Sequence, residues 1–566
     1  MEKILRLNLT EGSITTEEVA QKYHRLGGRS LTAHILSDEV DPACEPLGRN
    51  NKLVFAPGLL GGSYLSSSSR LSVGGKSPLT GGIKEANAGG TAALALSKLG
   101  IKALIVEGEG KPGSSHYLYI SNNTIELRVA DMEGLGIYQS ARLLYERYDD
   151  KVSLILIGPA GEKGFPTAGI TNTDPQKRPS RFCARGGLGA VMGVKGLKAI
   201  VIDPTESPDI MYHDRKAFQE LNKEMVKLFK ENIATGESFP KYGTAAMATR
   251  TNALHALPTR NFSQGSFEHA DHIDGECLYS TISKRGGEGN PTHSCMPGCV
   301  IKCSNVYANE EGKEVVAPLE YETIGLMGSN LGIGNLDDIA KLNYICNDLG
   351  IDTIEMGATI GVVMEQGLIP FGDVNAAVNL LSEITADSVL GKVLGHGALI
   401  TGKIFGSRRI PVVKGQAMPA YDPRAIKGLG VTYATSPMGA DHTAGNTIRA
   451  QVEHTDPLPQ AELSRKSQSM SMLADSMGLC LFAMVVIGQH LDKVSKMLEY
   501  YKGINASKEV LLDSATEALQ LEREFNRRAG LGLVHDRLPE FMTEEPLPVI
   551  DSVFDVSQED LKKVVE

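Results

Sequence analysis

The sequence predicts an α+β protein in which a β-rich base over residues 1–205 is followed by two mainly helical domains, 206–412 and 413–566. Three observations predict it. Short runs of aliphatic and β-branched residues, punctuated by Gly, Asn and Pro, fill residues 1–203. From about residue 206 the apolar spacing changes to a helical period. The Pro-bearing break "RRIPVVKGQAMPAYDPRAIKG" (408–428) then divides the helical part in two.

Taken in order, "KILRLNL", "NKLVFAPGLL", "KALIVEGEG", "HYLYISNNTIELRVA", "VSLILIGPAG" and "LKAIVID" read as strands, with "SNNT" at 121–124 as a hairpin turn. "ANAGGTAALALSKLG" (86–100) reads as a helix stopped by its last Gly. "HDRKAFQELNKEMVKLFKEN", "LDDIAKLNYICNDLG", "IDTIEMGATIGVVMEQG" and "KEVLLDSATEALQLEREFNRRAG" carry helical periodicity. The last stretch, from "MTEEPLPVID", reads as an extended segment on the surface. A chain of 566 residues, 42% hydrophobic, can bury a sizeable core. Its net charge of −11 argues against nucleic acid or an anionic membrane as main partner. "MEKILRLNLTEG" has charges where a signal peptide is apolar, and the apolar stretch near 479–488 is too short to span a bilayer. A cytoplasmic protein is expected, where clustered cysteines bind metal more often than they form disulfides.

Two glycine-rich stretches have the character of anion cradles. "RLSVGGKSP" ends like a phosphate loop, but Arg70 occupies the position of its first Gly. "ARGGLGAVMG" has Met192 where a dinucleotide fingerprint needs its third Gly. Neither is a nucleotide motif; both offer backbone N–H groups beside an arginine. Three of eight cysteines, Cys295, Cys299 and Cys303, fall every four residues in "PTHSCMPGCVIKCSN". Zinc or an iron–sulfur cluster takes four thiolates, so one distant ligand is needed. Cys480 in "ADSMGLCLF" suits it, following a Gly that permits close approach. Cys346 reads as a core thiol, and Cys44, Cys183 and Cys277 as structural. Glu320 and Glu322 in "APLEYETIG", and His442 in the glycine-bounded "MGADHTAGN", are the acid–base candidates.

These pieces in this order resemble the tungsten-containing aldehyde:ferredoxin oxidoreductase family. The likeness runs from "ILRLNLTEGSI" through "SPLTGGIKEANAGG", "GPAGE", "RGGLGAVMGVKGLKAI", "PKYGTA", the Cys triplet, "LEYETIGLMGSNLGIGNLDDIA" and "AYDPRAIKGLGVTYATS" to "ADSMGLC". It implies a cofactor at the domain interface: a bis-pyranopterin tungsten (or molybdenum) centre beside a 4Fe–4S cluster, with Mg²⁺ bridging the pterin phosphates. Carried over by position, Cys295, Cys299, Cys303 and Cys480 ligate the cluster and Arg70 bridges cluster and pterin. The carbonyls of Asn87 and Phe182 hold the magnesium, with Arg181 and Arg185 in the same phosphate region. Two pterin signatures of form D-x-x-G-L-[DC] fall on Asn347, Gly350, Ile351 and Asp352 and on Asp475, Gly478, Leu479 and Cys480. Glu322 and His442 match the active-site pair.

The implied reaction is oxidation of aldehydes to carboxylic acids, with electrons leaving through the cluster to ferredoxin or to iron–sulfur and flavin subunits. Reduction of carboxylates or aromatic thioesters on the same scaffold, or electron carriage without catalysis, are the alternatives. Four positions depart from the family pattern. The first cysteine spacing is x3 rather than x2, so Met296–Gly298 must bulge. Asn347 replaces an Asp, and Ala444 replaces a lysine after the active-site His. The Glu-x-x-His of the family's dimer-bridging metal falls on Lys341 and Tyr344, so that motif is absent.

Overall fold

The β-rich stretch folds into two six-stranded sheets. In the computed structural model, which describes residues 2–111 and 113–566, the first sheet runs Ser13–Glu18, Lys3–Asn8, Ile101–Glu107, Leu53–Pro57, Leu71–Lys76, Ile83–Ala88. The second runs Pro179–Cys183, Ile170–Thr173, Ser153–Leu156, Leu197–Asp203, His116–Ser121, Ile125–Val129. Each sheet has one parallel pair, Lys3–Asn8 with Ile101–Glu107 and Leu197–Asp203 with His116–Ser121. The aliphatic runs become the middle strands because both their faces are covered. Leu5, Phe55 and Leu104 of one sheet share a core with Leu118, Ile155 and Ile200 of the other. Each such side chain contributes roughly 1.5–3 kcal/mol by leaving water.

The polar strands lie at the edges. Ile83–Ala88 ends the first sheet, Pro179–Cys183 ends the second, and the two edges adjoin. An edge strand leaves N–H and C=O groups unpaired, so this joint offers polar backbone to whatever covers it. It also carries Glu85, Asn87, Arg181 and Phe182.

Several expectations change here. The helix expected over 86–100 is shorter, Ala92–Lys98, because Ala86–Ala88 belong to the edge strand. "GGK" is not a phosphate loop: Gly74–Lys76 lie within the strand Leu71–Lys76, where a Cβ on Gly74 would meet Thr32 at 2.5 Å. Lys76 is buried, its ammonium donating to the carbonyls of Pro42 and Cys44. The base also contains the helices Gly28–Glu39 and Ile137–Tyr148, whose starts carry no side-chain cap.

Beyond residue 205 the expected helices form as Arg215–Glu231, Leu336–Leu349, Thr353–Glu365 and Lys508–Arg528. The break at 408–428 holds a small hairpin, Val412–Val413 with Gln416–Ala417. A three-stranded sheet, Asn290–His293, Ser304–Ala308 and Glu314–Val316, sits unexpectedly among the helices and frames the Cys triplet. The final segment is not wholly extended: it ends in the helix Gln558–Val565, capped by Ser557 and burying Leu561 and Val564. No helix among the described residues is long and apolar enough to cross a membrane. The C-terminal helices are tied to the base by Arg29, wholly buried, whose guanidinium donates to both oxygens of Glu522 at 2.9 and 2.7 Å. Removing one partner of such a buried pair costs about 3–5 kcal/mol.

Candidate active site

A cavity of about 540 Å³ opens over the joint of the two edge strands. That is within the usual range for a ligand site. One wall is the base, with Arg70, Glu85, Asn87, Arg181, Phe182 and Arg185; another comes from 295–354; the third comes from 421–485. Of the positions singled out in the sequence, the lining includes Arg70, Asn87, Arg181, Phe182, Arg185, Cys295, Cys303, Glu322, Asn347, Ile351, Asp352, His442 and Cys480. Gly350, Asp475, Gly478, Leu479 and Cys299 are not part of the lining.

Two helix-ending turns place the lining residues. Leu336–Leu349 stops at Gly350, whose φ of 76° suits a residue without a side chain, and Ile351 N–H closes the turn on Cys346 O at 2.8 Å. Asp352 then caps the next helix, accepting from Ile354 N–H at 3.0 Å, and its other oxygen receives Arg185 Nε at 3.1 Å. The helix Gln460–Met477 stops in the same way at Gly478, φ 77°, with Leu479 N–H on Ala474 O at 2.8 Å. Cys480 follows.

At the Cys480 end, the four cysteines gather without disulfides. Cys303 lies within electrostatic reach of Cys480, Cys295 and Cys299, and Arg70 within reach of Cys480 and Cys295. Cys299 is buried and accepts a hydrogen bond from the Ser67 hydroxyl at 3.4 Å; the Ser67 carbonyl accepts from Cys480 N–H at 2.9 Å. The x3 loop turns at Gly298, φ 74°, with Met296 buried beneath it. Burial pushes the Cys295 thiol up to about 12 against the pull of Arg181, so only a bound metal would hold it as thiolate. Among the described residues no three His, Cys, Asp or Glu converge on a single ion. Four free thiols are the donor set that an iron–sulfur cluster takes.

Arg70 donates through Nε to Asn87 Oδ1 and through Nη2 to the Asn87 carbonyl at 3.1 Å. The carbonyl expected to serve magnesium thus accepts one bond from Arg70 and keeps a second lone pair. Arg185 is likewise spent within the protein, on Asp352 and on the carbonyls of Ala440 and Ala417. Arg181 differs: Nη1 donates to Ser304, while buried Nε and Nη2 have no hydrogen-bond partner. Unpaired buried donors on a cavity wall fit the anionic phosphates of a pterin.

The other end of the cavity holds Glu322 and His442. Their Oε1 and Nε2 atoms are 3.5 Å apart. Ala420 N–H donates to Glu322 Oε2 at 2.8 Å, whereas Oε1 has no hydrogen-bond partner, and neither has His442 Nδ1. Burial raises the Glu322 carboxyl above the ordinary range, with His442 opposing. The His442 ring lies 6.0 Å from that of Tyr421.

Some members of this site escaped the sequence reading. Lys84 forms a buried ion pair with Asp441 at 2.6 Å, which fixes the backbone just before His442. Burial would raise Asp441, but Lys84 and Arg185 hold it well below the carboxylate range. Asp441 could have been found from its place beside His442; Lys84, hundreds of positions away, had no signal. Tyr421, Asn446 and Arg449 also line the wall. Glu320, by contrast, is engaged by Thr244 and Ser304 near the cysteine end. Lys341 and Tyr344 are exposed on their helix, Tyr344 stacking on Tyr138 at 4.9 Å.

Comparison with known proteins agrees with this architecture. Residues 4–204 match the family "Aldehyde ferredoxin oxidoreductase, N-terminal domain", and residues 220–565 match "Aldehyde ferredoxin oxidoreductase, domains 2 & 3". A tungsten-containing aldehyde ferredoxin oxidoreductase of Pyrococcus abyssi is 34% identical over 96% of this chain and 92% of its own length. An aliphatic sulfonate oxidoreductase, WOR-like subunit, of Pyrococcus furiosus is 27% identical over 79% of this chain and 76% of its own. Among solved structures, the active site complex BamBC of benzoyl coenzyme A reductase superposes with a TM-score of 0.80 at 20% identity, over 99% of this chain and 92% of that one. At that identity the likeness speaks for the fold alone.

Proposed function

This chain belongs to the aldehyde ferredoxin oxidoreductase family, an oxidoreductase family that uses tungsten and pterin, and from that premise we propose that it oxidises an aldehyde to a carboxylate. The balance is RCHO + H₂O → RCOO⁻ + 3 H⁺ + 2 e⁻, with two one-electron ferredoxins as acceptors. Cys295, Cys299, Cys303 and Cys480 would hold a 4Fe–4S cluster beside a bis-pterin tungsten centre, which together would supply two-electron oxidation and one-electron delivery. The chain's own residues supply binding and proton handling. Arg181 would pair with the pterin phosphates, Arg70 would link the pterin edge to the thiols, and the Asn87 carbonyl, which keeps a second lone pair beside its bond from Arg70, would serve magnesium. His442 donates a hydrogen bond to the aldehyde oxygen. Glu322 accepts the proton of the attacking water.

One observation carries the reading: Glu322 Oε1 and His442 Nδ1 are buried polar atoms without hydrogen-bond partners, on residues that line one cavity. A buried orphan costs about 1–3 kcal/mol and calls for a ligand. The test is turnover of an aldehyde panel with benzyl viologen, for Glu322→Gln and His442→Asn with tungsten content verified. A loss of about 10²-fold or more is expected for each, the usual worth of positioned acid–base groups. The pH profile adds a sign. Because burial raises Glu322, its working carboxylate forms above a pKa higher than the ordinary carboxylate value. Wild-type turnover should rise with pH through that range, and Glu322→Gln should lack the limb. Wild-type rates in metal-replete variants would sink both roles. Reduction of a carboxylate or thioester without aldehyde oxidation would reassign the substrate.

A further inference from the structure

We propose that a small basic pocket on the outside of the cysteine loop docks an acidic protein electron carrier, seating one of its carboxylate side chains among Lys98, Lys151 and Lys177. The inference rests on the function proposed above and locates its electron exit. The pocket, about 130 Å³, opens to solvent, and its lining includes these three lysines, two carboxylates, Asp150 and Asp174, and Pro297. That volume takes one side chain rather than a cofactor. Pro297 lies between Cys295 and Cys299, and its neighbour Gly298 is exposed, so the thiol loop itself surfaces here.

Little separates this pocket from the interior. Asp174 lines the pocket and accepts from His293 Nε2 at 2.8 Å, two residues before Cys295. The same carboxylate lies 3.9 Å from Arg181, which lines the main cavity. The chain shows the same thin wall, since Gly89 lines the cavity and Thr91 lines the pocket. A carrier seated here stands one layer of side chains from the thiols.

The charge is distinctive on a chain of net charge −11. Among the described residues Lys98 and Lys151 have no carboxylate within ion-pair distance, while Lys177 pairs with Asp150. Asp174 does not offset the lysines, because its buried side chain is engaged by His293 and two arginines. An acidic carrier meets a chain of net negative charge and finds unpaired lysines here, which favours one orientation and a faster encounter.

The experiment uses the metal-replete enzyme and a purified acidic two-cluster bacterial ferredoxin. Lys98→Glu/Lys151→Glu/Lys177→Glu is compared with wild type and with Lys392→Glu/Lys403→Glu/Lys562→Glu, an equal charge change elsewhere. The pocket variant should raise the KM for ferredoxin about tenfold or more, within the span of electrostatic steering, and leave benzyl viologen turnover unchanged. Added salt should raise the wild-type KM and leave the variant's nearly flat. Calorimetric titration of oxidised ferredoxin tests docking without catalysis, so an enzyme inactive on every aldehyde would overturn the function while docking is still judged. The glutamine triple variant, milder on folding, should fall between the two. An unchanged ferredoxin KM and affinity in both pocket variants, or an equal effect from the distant triple, would overturn the proposal.

Discussion

The turns 347–352 and 475–480 are two copies of one backbone device put to opposite uses. Each ends a helix, each turns at a left-handed glycine with φ near 76–77°, and each closes with a 2.8 Å bond from the following N–H. Each also packs on a glycine of the β base. A Cβ on Gly158 would come within 2.3 Å of Leu349 O, and one on Gly58 within 2.0 Å of Gly478 N. The turns part at their last residue. Asp352 is consumed by the protein, capping a helix and pairing with Arg185, whereas Cys480 leaves its thiol to the cavity. They part also at the first: Asn347 faces the cavity, while Asp475 is withdrawn toward Arg29 at 3.5 Å. The turn fixes where a residue stands, and the side chain alone decides whether it holds the fold or a ligand.

The sharpest way to break the symmetry is at the last position. Cys480→Ala should abolish the brown iron–sulfur absorption and bring ferredoxin-linked turnover to background, because the thiol has no substitute at that end. Asp352→Ala should keep the absorption yet lower the melting temperature, since it strands Arg185 inside the protein at a cost of about 3–5 kcal/mol. A full four-iron signal in Cys480→Ala would remove it as a ligand and dissolve the contrast.

How far the two turns were legible follows from where their determinants lie. Helix periodicity, the stop at Gly350 and the odd thiols were local, and so were the aliphatic central strands. The inner strand Leu71–Lys76 and the edge strand Ile83–Ala88 were not, because the Gly, Lys, Ser and Asn they carry erase the alternation that marks a strand. The GGK stretch looked like a loop for the same reason. The docking glycines Gly58 and Gly158 gave no hint of their partners, and Lys84 no hint of Asp441, since such contacts are made only after folding. The resemblance to a known family supplied the site positions; burial, pairing and unpaired atoms came from the structure.

A smaller effect is expected from the base side of each turn. Gly58→Ala forces backbone against Gly478, and Gly158→Ala forces it against Leu349 and Gly350. Overpacking of this kind costs about 1–3 kcal/mol, read as lowered melting temperatures in both. Only Gly58→Ala should also lower iron content per chain, because only that contact supports Cys480. Equal iron loss in both would mean that the turns are one mechanical unit.

The finest distinction rests on Ser67, which has no counterpart at the Asp352 turn. It is wholly buried, holds a left-handed φ of 64° that few side chains adopt, and touches two cysteines at once. Its carbonyl binds Cys480 N–H and its hydroxyl binds the Cys299 sulfur. Hydrogen bonds to ligating sulfurs help set the potential of an iron–sulfur centre by favouring its more negative, reduced state. Ser67→Ala keeps the carbonyl and removes the hydroxyl. Iron content and melting temperature should therefore stay near wild type while the midpoint potential, followed by electron paramagnetic resonance during reductive titration, moves to a lower value. Ser67→Thr, which restores a hydroxyl, should recover part of the shift. An unmoved potential in Ser67→Ala would leave Ser67 as a backbone clamp alone, and the Cys480 turn would then differ from its twin only in the side chain at its end.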